Sequence, residues 1–120
     1  MKTTPEHARE FAGYVAEFQN LLNLRDWRIE PSGRAASKGA MAEVDISLDD
    51  RMAVWSFGKD WGNMPINSKT LRETALHEVL HIFLKPLIQS SMQRDESAID
   101  TLEHSAIVVL EKLLTGMNND

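Results

Sequence analysis

Apolar residues at Phe11, Val15, Phe18, Leu21 and Leu22 recur at intervals of three and four, the helical period, and predict an opening helix over residues 5–23. Pro5 suits its first turn, where a missing N–H costs nothing because that group would have no helical partner. From Leu24 to Glu30 the pattern changes to Trp27 and Ile29 on one side and Arg28 on the other. This predicts a short strand closed by Pro31-Ser32-Gly33, with a loop from Gly33 to Gly39. Ala42, Val44, Ile46 and Leu48 alternate with Glu43, Asp45 and Ser47, and alternation resumes at Ala53, Trp55 and Phe57 after the polar turn Asp49-Asp50-Arg51. A two-residue period on both sides of a turn predicts a half-buried hairpin.

A loop of about ten residues, Gly58 to Asn67, precedes the next helix, and loops of that length often border a site. Ser68 or Thr70 is the expected helix cap, with Thr70 and Glu73 as a reciprocal capping box. This second helix is expected to stop near Lys85, because Pro86 would clash with the carbonyl of Ile82. A last helix over residues 93–114 is expected to end at Gly116 and the polar tail Asn118-Asn119-Asp120. The expected class is α+β, in one domain spanning residues 1–120. It comprises an N-terminal helix, a small three-stranded and mostly antiparallel sheet, and two further helices.

Around the second helix, Leu71, Ala75, Leu76, Val79, Leu80, Ile82, Phe83 and Leu84 cover well over half the circumference, which predicts a buried central helix. The remaining wedge holds Thr74, His77, Glu78, His81 and Lys85. A buried seam of polar groups costs kilocalories each unless partners are supplied, and a metal ion would supply them. His77 and His81, one turn apart, project from the same side, while Glu78 points about 100° away around the axis. This His-Glu-x-x-His spacing arises by chance in about one such chain in a hundred, so it carries weight. In this chemistry the histidines hold zinc, one ion per chain, and Glu78 is the catalytic base toward the water that the ion activates.

A catalytic zinc wants a third protein ligand. Downstream stand Asp95, Glu96, Asp100, Glu103, His104 and Glu111. If Ile99, Leu102, Ala106, Leu110, Leu113 and Leu114 form the packing face of the last helix, Glu103 falls inside it and His104 about 100° off it. Glu103 is therefore the expected ligand, with Glu96 and His104 as alternatives. Lys85, Tyr14, His104 and Arg94 are the candidates for stabilising an oxyanion.

Composition narrows the function further. The net charge of −5 over 120 residues argues against nucleic acid held through its phosphates, and the mildly basic stretch Arg25, Arg28, Arg34 and Lys38 reads as solvated surface. Without cysteine, any metal must be held by nitrogen and oxygen. No stretch approaches the roughly 20 apolar residues that span a bilayer, nor is there an N-terminal apolar segment of signal-peptide length, so the expectation is a cytoplasmic protein.

The active helix Leu76-His77-Glu78-Val79-Leu80-His81-Ile82-Phe83-Leu84, with Leu24–Ile29, Asp49–Val54 and Glu103–Val108, resembles minimal zincins, in particular small metallopeptidases encoded by bacteriophages. That resemblance implies a zincin-like fold, zinc on His77, His81 and Glu103, Glu78 as base, a peptide or protein substrate, and residence in the host cytoplasm. Leu84 and Leu87 stand where the metzincin pattern has glycine and a third histidine, which excludes that subgroup. Resemblance to zincins of the SprT and ImmA/IrrE kinds is confined to the active helix, so their roles do not transfer. Two other readings stand beside the peptidase: a catalytically inactive zincin scaffold that binds or inhibits a host protein, and zinc-assisted hydrolysis of a non-peptide amide. Neither the natural substrate nor the oligomeric state is legible.

Overall fold

A computed structural model describes residues 1–90 and 96–116. The order is α1 (Pro5–Leu21), β1 (Arg28–Ala35), β2 (Ala42–Ser47), β3 (Met52–Phe57), α2 (Ser68–Ser90) and α3 (Glu96–Gly116). This is the expected α+β arrangement. Among the described residues no helix is long and apolar enough to cross a membrane.

Thr4 starts α1 by accepting a hydrogen bond from the His7 N–H at 3.2 Å, while His7 Nδ1 accepts from the Thr4 N–H at 3.1 Å. Phe11, Val15 and Phe18 form the buried face of α1. Phe11 meets Trp55 edge-on at 5.2 Å and lies 5.0 Å from Phe57, so the helix covers one face of the sheet.

The sheet order is β1-β3-β2: β2 and β3 form the predicted antiparallel hairpin, whereas β1 runs parallel to β3. The sheet is thus mixed, one pairing of each kind, where a mostly antiparallel one was expected. β1 also continues through Pro31 and Gly33 to Ala35, beyond its predicted end, with an irregularity between Pro31 and Ala35. An edge strand tolerates proline because one row of its N–H groups has no ladder partner.

Asn67 caps α2, one residue before the expected Ser68: its Oδ1 accepts from the Thr70 N–H at 2.9 Å, and Thr70 Oγ1 accepts from the Asn67 N–H at 3.0 Å. The helix also passes the predicted stop at Pro86 and runs to Ser90. Proline removes the bond that residue 86 would donate to Ile82, a local loss that leaves the other turns bonded. Leu71, Ala75, Leu76, Val79, Leu80 and Ile82 are buried as predicted, making α2 the centre of the core. Phe83 departs from the pattern and is 42% exposed. Helix α3 adds the fully buried Ile107, with Leu110 and Leu114 packed partly against the same core. Its predicted start at residues 93–95 and the tail Asn118–Asp120 lie outside the described residues, as do the side chains of Ile99, Leu102 and Leu113.

Gly58, at the end of β3, fixes the approach of the loop that enters β2. Its N–H donates to Met41 O at 2.8 Å, and a Cβ built there would stand 2.2 Å from Ala40 O. A backbone oxygen cannot yield that much space. Gly58→Ala is therefore expected to cost about 2–4 kcal/mol in urea unfolding, well above an ordinary surface change; an unchanged midpoint would show that this approach is dispensable.

Candidate metal centre

His77 and His81 stand one helical turn apart in the middle of α2, with ring centroids 5.0 Å apart. Helix α3 runs antiparallel beside them, since His81 meets Glu103 and His77 meets Glu111 in reversed order. This brings His104 to the pair, with ring centroids 6.3 Å from His77 and 5.6 Å from His81. One ligand atom from each of His77, His81 and His104 lies within 4.8 Å of the others. These three side chains could hold a metal ion.

Glu103, the third ligand expected from the sequence, contacts His81. Its Oε2 lies 2.8 Å from His81 Nδ1, and it is not one of the three gathered side chains. Glu111 does the same for His77, with Oε1 2.7 Å from Nδ1. A carboxylate on Nδ1 favours the tautomer with the proton on that nitrogen, and so leaves Nε2 as the ligand atom. Glu111 is one of several downstream acidic residues for which the sequence alone singles out no role. The signal is its spacing: eight residues after Glu103, a little over two turns along the helix, bracketing two histidines four apart. Glu96 opens α3, but its side chain, like Arg94 and Asp95, lies outside the described residues.

Glu78 is 8% exposed and has no hydrogen bond or ion pair among the described residues. Its carboxyl is pushed up to about 8, first by burial and then by the negative charges of Glu43 and Glu111. Burial pushes His81 below the ordinary imidazole range, with the Glu103 hydrogen bond working in the opposite direction. These shifts oppose one another in the metal-free protein. Glu78, raised above its usual 4.5, contributes stability that is complete below that pH and lost as pH rises through 8. His81, lowered, contributes stability present above its usual 6.5 and lost as pH falls. Thermal unfolding of chelator-treated protein should therefore show wild type weakening between pH 4.5 and 8 by a few kcal/mol relative to Glu78→Gln. Parallel pH profiles of the two would refute the buried-carboxylate account.

Two clefts open on either side of Glu78. One, of about 420 Å³, is lined by Gly39–Ala42, Met64, Thr70, Glu73, Thr74, His77, Glu78 and Glu111. The other, of about 370 Å³, is lined by Val44, Asp45, Ile46, Glu78, His81, Lys85 and Glu103. Met64 brings in the loop between β3 and α2, as its length suggested. Of the oxyanion candidates, Lys85 lines the second cleft and His104 joins the histidine cluster, whereas Tyr14 donates its hydroxyl to Glu10 at 2.8 Å and lines neither cleft.

No protein-family model matches the chain, and neither a curated protein nor a solved structure matches it.

Proposed function

We propose that the chain is a zinc-dependent metallohydrolase, most directly a peptidase, with His77, His81 and His104 as the ligands. The observation that supports this reading is a largely buried carboxylate, Glu78, with no hydrogen bond or ion pair among the described residues, beside three convergent imidazoles of which two are contacted by carboxylates. The donor set fits zinc: three neutral nitrogens suit its tetrahedral preference and leave a fourth position open. His104 takes the place that sequence reasoning gave to Glu103, and Glu103 becomes the group that orients His81.

A zinc ion held by His77, His81 and His104 would supply Lewis-acid chemistry toward a carbonyl oxygen and a water. Glu78 takes a proton from the attacking water and delivers it to the leaving amine. Lys85 is assigned to the negative charge that develops on the carbonyl oxygen. Strand β2 borders both clefts and lies at the edge of the sheet. Because Met41 O accepts from the Gly58 N–H, alternation turns the backbone groups of Val44 and Ile46 toward the unpaired edge. An extended peptide can add there as a fourth strand and lie across the site. A cytoplasmic setting is part of the same proposal.

The test is digestion of an unstructured peptide pool by the zinc-loaded and the chelator-treated protein, read by mass spectrometry. Cleavage that requires zinc is expected. One bound zinc with no cleavage of any peptide would favour the scaffold reading, in which the ion stabilises a binding protein.

A further inference from the structure

We infer that the cleft between β2 and the first half of α2 receives a lysine or arginine side chain of the substrate, and that Glu73 selects it. This rests on the peptidase reading above. Glu73, Glu78 and Glu111 line the cleft, and among the described residues no lysine or arginine does. Two nearby carboxylates are already engaged, Glu111 with His77 and Glu43 with the Ser37 N–H and hydroxyl, and Glu78 is the base of the proposed reaction. Glu73 has no hydrogen bond or ion pair among the described residues, although it is only half-exposed.

Its position matches the length of a cationic side chain. Glu73 precedes His77 by four residues on the same face of α2, about 6 Å along the axis. A lysine or arginine attached next to the reacting carbonyl spans about that distance before its charge begins. Met41, Met64 and Ala42 line the same cleft and offer apolar, adaptable contacts for the aliphatic stem. Glu78, which has no hydrogen bond or ion pair among the described residues, lines this space, so a side chain seated here lies beside the base. An acidic side chain reaching toward Glu73 would meet a like charge. The second cleft is less biased, because Lys85 lies there with Asp45, Glu78 and Glu103, so the stronger selection is expected on the Glu73 side.

The experiment uses labelled octapeptides of one neutral sequence, carrying a single Arg, Gln or Glu at each position in turn. Binding to the zinc-loaded Glu78→Gln protein is read by fluorescence anisotropy, and cleavage by the zinc-loaded wild type by mass spectrometry. At one position Arg is expected to bind at least about tenfold tighter than Gln or Glu. Adding Glu73→Gln should bring Arg and Gln to about equal affinity, and adding Glu73→Lys should reverse the order in favour of Glu, with zinc content unchanged. Cleavage by wild type without any preference for Arg, or an Arg preference that survives both Glu73 substitutions, would overturn this inference and leave the peptidase reading intact. Neither binding nor cleavage of any peptide by the zinc-loaded proteins would overturn the peptidase reading and this inference with it.

Discussion

Peptide hydrolysis by Glu78→Gln is expected to fall by roughly a hundred- to ten-thousandfold, the contribution of a positioned general base, while zinc remains bound. Glutamine keeps the size and polarity of the side chain but accepts no proton at working pH. The substitution also removes a group whose ionisation is opposed by burial and by Glu43 and Glu111, so the metal-free variant should fold at least as well as wild type near neutral pH. Lost turnover together with undiminished stability separates a catalytic role from a structural one. Full activity in Glu78→Gln would end the proposed mechanism, whatever the metal content.

The next largest effect should fall on the metal. His104→Ala removes a nitrogen from a three-nitrogen set and is expected to weaken zinc binding by far more than the roughly 10–100-fold typical of groups that only orient a ligand. Glu103→Gln and Glu111→Gln should stay within that smaller range, since each contacts a histidine through Nδ1. Competition with a chromogenic chelator reads all three. If Glu103→Gln strips the zinc and His104→Ala keeps it, Glu103 is the ligand, as the sequence suggested, and the helix must sit differently from the arrangement described.

The difficulty over that third ligand is one of rotation. The sequence places the packing face of α3 on Ile99, Leu102, Ala106, Leu110, Leu113 and Leu114, yet among the described side chains of α3 it is Ile107 that is fully buried, with Leu110 and Leu114 beside it. A turn of some tens of degrees about the axis decides between neighbours such as Glu103 and His104, which differ by about 100°. Apolar periodicity does not resolve it when Val108 and Val109 are also apolar and, in the structure, exposed.

Local signals fared better. The hairpin of β2 and β3, the start of α1 at Pro5 and the buried face of α2 follow from residues that are near one another in sequence. The parallel pairing of β1 with β3 does not, because Pro31 and Gly33 look like a turn until a distant strand supplies partners. His77, Glu78 and His81 were legible because one helix positions all three. The carboxylates behind the histidines needed the antiparallel packing of α3 to become visible.

The most direct test of the central claim is the zinc content of the wild-type protein, purified without added metal, supplied with excess zinc, desalted and measured by elemental analysis. The account predicts one zinc per chain, lost in His77→Ala and His81→Ala. A wild-type protein that holds no zinc under these conditions would contradict it and leave the three histidines as a polar cluster on an α+β fold.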